Sequence, residues 1–447
     1  MLDQTVVAIG LDPMAQDLHL TTFLMHSVVL VYVLSLASLT PVGGVLVRRI
    51  GILRTFQIGV AVFAVGSASC ALAPDIVAGP FLLTARFVQG AGAALMLPVA
   101  TTMITDLYEE RERGRALAIY AGLAQIFFVL GPLVGAVLAQ SFGWRSVFVV
   151  NVPVSAAILW MTTRTGMRNT PMGGPLAMGH ALALALALGV LVLGLYGWGA
   201  WGVLDPRSVG LLLAGGVGLV VAVRFGMRSR RPVVDLRLLG IRRYAVAVGL
   251  TFAVQAAQMI MLVHGAVFLR QAMHQSLLTS ALCLLPLVVT LTVGTFASGY
   301  LLDYFRSVRV PTVGGLATAA AGAVAWSVTL ASPDYLWQVP GMALTGLGLG
   351  MPIPALSAEL MSSVPQDKIS DASVLRQMLR QLGGAFGLAV AGAVVLGVND
   401  DEFDRAGVVT VPAVQAGFVV ADTLLGVSLL CAVFLLPPRV RTAKVTV

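Results

Sequence analysis

Arg86 is a permanent cation inside an apolar run from Pro80 to Thr105. A guanidinium keeps its proton in a protein, and placing one within a bilayer costs ~2.5 kcal/mol or more unless it finds a partner. Two readings fit its position. It lies six residues after Pro80, ~9 Å along a helix, and could snorkel to the near membrane face. Alternatively, Gln89 shares its helix face one turn on, so the two form a polar stripe pointing into protein. Asp422 is an acid about nine residues into another apolar run; it is either a second proton-binding group or a solvated residue near the outer face. Thr251, Gln255 and Gln258 recur at i, i+4 and i+7, whereas His264 projects ~120° away from Gln258 and is expected to be a satisfied packing residue. Gln89, Gln125, Gln255 and Gln258 are the candidate lining of a substrate cavity. The sequence has no phosphate loop, metal cluster or nucleophile-base pair, so ATP-driven pumping and membrane hydrolysis both lack a catalytic site. An enzyme is not expected, nor a metal or cofactor.

The elements that must hold these residues follow from composition. With 58% hydrophobic and 11% charged residues among 447, and a mean hydropathy of +0.92, the chain has too few charges to cover a soluble globule of its size. It reads as an all-α polytopic membrane protein without a removable signal peptide. Cys70, Cys283 and Cys431 lie in apolar runs without metal-ligand spacing, as inert thiols do. Seventeen Met and eighteen Phe could line an adaptable lipophilic cavity, or face lipid and core.

A window of ~20 residues finds complete apolar spans near 23–46, 53–73, 80–105, 115–140, 146–163, 176–198, 208–226, 244–269, 277–302, 311–331, 336–361, 376–398 and 413–436. Met1 to Leu11 would add a fourteenth of about half the needed length, ended by Asp12-Pro13 and resembling the second half of a helix. Alternating the loops, with 47–52 cytoplasmic, places 23 of the 28 basic residues inside, Arg376 and Arg380 among them. The net charge of +8 is then mainly a topology signal, and no basic soluble module suggests nucleic-acid binding. A polybasic hinge at Arg224 to Arg243 is placed to touch anionic lipid heads. The expected location is the plasma (inner) membrane, with both termini cytoplasmic if the first helix is complete.

The spans divide into residues 1–163, a six-helix half with an incomplete first helix; 164–243, a hinge with two additional helices; 244–436, a second six-helix half; and 437–447, a cytoplasmic tail. Gly44 to Arg54 follows the second helix of one half, and Gly299 to Arg309, with Asp303 inside it, follows the second helix of the other. Parallel repeats of this kind are a transporter architecture with the site at their interface. Gly131, Gly135 and Ala139 form a smooth ridge at i, i+4 and i+8 that lets another backbone approach. Pro132 and Pro153 each remove a backbone donor. Gly346, Gly348, Gly350, Pro352 and Pro354 predict a bent span.

These motifs resemble the major facilitator superfamily, and within it the fourteen-helix drug:proton antiporters of the EmrB/QacA type. Leu2 to Val7 is similar to that branch's first-helix motif, Arg86 to Ala94 to its fourth-helix motif, and Gly131-Pro-Leu-Val-Gly135 to its fifth-helix antiporter motif. Gly143 to Pro153, with Asn151 inside it, and Arg380 to Gly387, with Gly383, are the most branch-specific stretches. The resemblance implies two six-helix bundles plus two linking helices, with a fifth-helix ridge sealing against the first helix. It assigns proton coupling to a first-helix carboxylate, here Asp3, and a fourth-helix arginine, here Arg86. If the chain enters the first helix from the cytoplasm, Asp3 lies ~14 Å and Arg86 ~9 Å from the outer ends of their helices, within an arginine's reach. A carboxylate beside a fixed cation stays ionised and takes up a proton when the contact opens.

The chain departs from the family pattern where Arg48 replaces the usual Asp of the loop closed by Gly51, where Ile52 and Leu53 replace basic residues, and where Phe127 and Ala136 replace glycines. Arg48 should weaken or rewire a clamp between halves. The expected activity is proton-coupled export of a lipophilic drug or secondary metabolite by alternating access. The proton gradient would supply energy, with no cofactor and no obligate protein partner. A uniporter or importer of the same fold, and a degenerate non-transporting membrane protein, are the alternatives.

Overall fold

The computed structural model describes residues 3, 6–7, 13–14, 17–20, 22–74, 78–108, 110–164, 169, 171, 178–202, 205–228, 235–332, 334–365, 368–398 and 410–436. Among them there is no strand, as expected of a chain whose backbone groups find no hydrogen-bond partner in hydrocarbon. The N-terminal segment is helical at Asp3, Val6, Val7, Pro13, Met14 and Asp17. There follow α1 (Thr22–Ile50), α2 (Ile52–Ala71), α3 (Ala78–Leu107), α4 (Glu110–Phe142), α5 (Ser146–Val149), α6 (Asn151–Arg164), α7 (Met178–Trp201) and α8 (Pro206–Arg228). The chain continues through α9 (Arg242–Val267), α10 (Leu277–Cys283), α11 (Leu285–Phe305), α12 (Arg309–Thr329), α13 (Val339–Gly350), α14 (Pro352–Ser362), α15 (Ile369–Val398) and α16 (Val411–Leu435).

Twelve helices among the described residues are long and apolar enough to cross a membrane. The 115–140 span is carried by α4, 33 residues long. Pro13, Met14 and Asp17 are helical, while residues 8–12, where the expected break at Asp12-Pro13 falls, lie outside those described. One expectation needs correction. The last-but-one helix begins at Ile369 and its membrane-length stretch at Asp371, not near Arg376. Arg376 and Arg380 therefore lie within the helix, ~10 and ~16 Å from its start, inside the membrane-length stretch Asp371–Val395.

In the first half α2 packs on α3 and α6, and α1 packs on α3. In the second, α9 packs on α15 and α16, while α13 packs on α11 and α12. The two sets meet where α15 touches α1 and α3, and where α4 touches α11. The additional helices α7 and α8 pack on each other, and α7 also lies against both α1 and α15. It thus covers a seam between the halves. The predicted bend falls between α13 and α14, at Met351. A Cβ at Gly348 would collide with the Ala319 backbone, so glycine there serves close approach.

Candidate functional site

Arg86 and Asp3 form a buried ion pair. Nη1 of Arg86 donates to Oδ2 of Asp3 at 3.0 Å, and the residues are 1% and 5% exposed. Such burial excludes snorkelling. The pair sits in a saturated polar network. Arg86 Nε donates to the Val28 carbonyl at 3.1 Å, and Nη1 also donates to Gln89 Oε1 at 2.5 Å. Gln89 Nε2 donates to Asp3 Oδ1 at 2.9 Å and to Ser67 Oγ at 2.6 Å. Asn151 Nδ2 donates to the same Asp3 oxygen at 2.9 Å. The guanidinium carbon lies 4.3 Å from the Tyr32 ring centroid and 5.7 Å from that of Phe148, within cation-π range. One carboxylate thereby ties the N-terminal segment to α3 and α6, and through Ser67 to α2.

Helix packing positions this carboxylate. A Cβ at Gly135 would stand 2.8 Å from the Val6 carbonyl oxygen, so the α4 ridge holds the N-terminal segment at backbone contact three residues past Asp3. The second half repeats the device: a Cβ at Gly387 would stand 2.7 Å from the Ala256 carbonyl, and one at Gly383 would collide with that of Phe252. Gly131 is buried on the same ridge. Gly51 has φ +87°, and a Cβ there would collide with Asn169; the Asn169 amide donates to the Ile50 carbonyl and accepts from the Arg54 backbone at 3.3 Å. Gly44 packs on Val374, where a Cβ would stand 3.2 Å away. Arg48 pairs across the halves with Asp371, in the first turn of α15, at 3.4 Å. Gly299 is half-buried on α11, and Asp303, exposed, forms no ion pair among the described residues. Pro153 is exposed near the start of α6. The side chains of Gln125 and Pro132, and residues 437–447, lie outside those described.

The second half holds a cavity lined by Thr251, Gln255, Ser357, Arg376 and Arg380. Arg380 Nε donates to Gln255 Oε1 at 2.6 Å. Gln258 is buried with no partner for Oε1 and is not on the cavity wall. Gln89 was expected to line a cavity; it is instead committed to the Asp3 network. Asp422 is half-buried and accepts from Ser327 Oγ at 3.0 Å. It lies ~16 Å from the start of α16. His264 is buried with Nδ1 3.2 Å from the Ile260 carbonyl, a satisfied packing residue.

Sequence reasoning missed Ser67, Tyr32 and Arg376. Ser67 and Tyr32 are ordinary side chains in apolar runs, and nothing local separates them from core residues. Arg376 did carry a signal, its i, i+4 relation to Arg380 on one helix face.

A chain of a dozen or more membrane-length helices, repeated as two helix sets that meet along a seam and carry buried ionic groups, is a multi-pass membrane protein of transporter architecture. It belongs to the Major Facilitator Superfamily, whose family model matches residues 1–388. Among its relatives, the probable actinorhodin transporter of Streptomyces coelicolor is 31% identical, covering 89% of this chain and 70% of that one. The tetracenomycin C resistance and export protein of Streptomyces glaucescens is 30% identical, covering 90% and 74%. The methylenomycin A resistance protein of Bacillus subtilis is 29% identical, covering 88% and 84%. The fold matches the solved proton:xylose symporter XylE with a TM-score of 0.65 at 14% identity, over 98% of this chain and 92% of that one.

Proposed function

We propose that the chain is a proton-coupled exporter of lipophilic small molecules in the plasma membrane, working by alternating access between residues 1–163 and 244–436. The observation that carries this reading is the buried Asp3–Arg86 pair. Three donors converge on one carboxylate: Arg86, Gln89 and Asn151. A proton arriving at Asp3 competes with them for the same oxygens, so protonation loosens the joint between the N-terminal segment, α3 and α6. A proton-dependent joint inside one half is what coupling to a rocking motion requires. The relatives' names, export and resistance proteins for secondary metabolites, support the direction of transport and the substrate class. Asp422 is a second candidate proton site. The basic hinge between residues 224 and 243 contacts anionic lipid, and no cofactor is needed beyond the proton gradient.

The test uses purified protein in proteoliposomes with an imposed pH gradient and a panel of lipophilic antibiotics. Gradient-dependent movement should occur and be lost in Asp3→Asn. Unchanged movement in that variant removes Asp3 from the mechanism, and movement indifferent to the gradient makes the protein a uniporter.

A further inference from the structure

Arg376 and Arg380 lie one turn apart on α15, on the wall of the cavity shared with α9 and α14. Neither forms an ion pair among the described residues. Arg376 is 8% exposed and its Nε has no hydrogen-bond partner; Arg380 uses one N–H on Gln255. The other polar groups of the wall do not neutralise them. Thr251 donates its hydroxyl to Ala247 and Ser357 to Ile353, each in its own helix. The free donors of the cavity are thus guanidinium N–H groups and the Gln255 amide, whose oxygen is already taken by Arg380. Among the described residues, the cavity wall is built from α9, α14 and α15 alone.

The contrast with Arg86 sets the problem. That cation is neutralised by Asp3, whereas two guanidiniums here share a desolvated wall without a carboxylate. Buried charge of one sign is costly and demands an opposite charge from somewhere. Planar guanidiniums grip a carboxylate through two parallel N–H···O bonds, and a fork of this kind suits an oxyanion better than any neutral polar group. A cationic ligand would meet two like charges.

We infer that Arg376 and Arg380 form an anion subsite, and that the cargo is a lipophile bearing a carboxylate or a comparably acidic group. This deepens the exporter reading and rests on it for the word cargo. The subsite itself is tested without transport.

Equilibrium binding to purified protein is measured with two probes that differ only in charge, 1-pyrenebutyrate and 1-pyrenebutanol. The carboxylate should bind about tenfold more tightly than the alcohol, as a desolvated charge-assisted pair does. In Arg376→Gln and Arg380→Gln that preference should fall below about twofold with alcohol binding retained, which also reports an intact fold. Should a variant lose both probes by misfolding, wild-type protein is treated with phenylglyoxal and Arg376 modification is followed by mass spectrometry. Pyrenebutyrate should protect it and pyrenebutanol should not. Equal binding of the two probes by wild type, a preference that survives both substitutions, or protection by both probes alike overturns the subsite. Asp3→Asn separates the two readings: it should abolish gradient-driven efflux while keeping the carboxylate preference. Loss of efflux without any preference in wild type would sink the subsite and leave the exporter reading standing.

Discussion

Replacing Arg86 with Gln leaves Asp3 buried with a lost counterion. Removing one partner of a buried pair costs ~3–5 kcal/mol, because the remaining charge stays desolvated. Gln89 and Asn151 still donate to Asp3, so the lower end of that range applies, ~3 kcal/mol. Unfolding entropy of ~2 cal/mol/K per residue over 447 residues is ~0.9 kcal/mol/K, so the melting temperature should fall by ~3 °C. The companion variant Asp3→Asn removes the stranded charge. Combined with Arg86→Gln it keeps amide donors and acceptors in the same network and should recover most of the loss. The assay is a double-mutant cycle of thermal melts in detergent with gradient-driven efflux measured in parallel. Stability should return in the double variant while efflux stays lost, since no titratable group remains at the joint. A single variant that melts within ~1 °C of wild type, or a double variant no better than the single one, refutes the idea that these two side chains stabilise one another.

Gly135→Val places a branched side chain where a Cβ alone would stand 2.8 Å from the Val6 carbonyl. It should force the N-terminal segment off α4 and abolish coupling, with leak of protons across reconstituted vesicles as the readout. Arg48→Asp sets two acids against each other at Asp371 and should slow transport. The swap Arg48→Asp with Asp371→Arg should restore it, though a part-exposed pair (29% and 22%) is worth only ~0.2–1 kcal/mol. At the protein surface, hydrogen bonds from Trp144 and then Arg145 hold the Asp17 carboxyl below its ordinary range. With a folded value below the unfolded one, the contact is fully present above the ordinary carboxylate range and is lost only as pH falls through the lower, folded value. The Trp144 fluorescence component, isolated by subtraction of Asp17→Asn, should stay constant at neutral pH and change only in strong acid. A change near neutral pH would count against the contact.

Much of the architecture was legible because hydrocarbon imposes one demand everywhere. Each run of ~20 apolar residues must be a helix, and loop arginines then set the alternation. The Asp3–Arg86 pair was legible through the family resemblance, with which depth along two helices at ~1.5 Å per residue agreed. What surrounded it was not. Asn151 on α6 reaches Asp3 across 148 residues of chain, and Ser67 on α2 joins them by accepting from Gln89 and Asn151, a relation fixed by crossing angles and small-residue packing that no local pattern encodes. Inside the membrane an amide such as Gln89 has no water to fall back on. It goes to the nearest unsatisfied oxygen, which is why it joined the carboxylate rather than a cavity.

The arginines of α15 show where the charge rule misleads. The positive-inside rule assigns a basic residue by its distance from the last apolar stretch, and Arg376 and Arg380 precede one. Yet the helix starts earlier, at Ile369, and Ala372, Val374 and Leu375 are buried before the first of these arginines is reached. A hydropathy window that penalises every arginine shortens such a span by two turns and hands its charges to the loop. Their real environment differs in one respect that the sequence does carry: they sit four residues apart and are followed by the Gly383 and Gly387 ridge that packs on α9. A loop arginine has no reason to keep helical register with a packing face. Where basic residues share a face with small residues of an adjoining apolar run, the helix should be extended through them, and the charges counted as groups that need a partner inside.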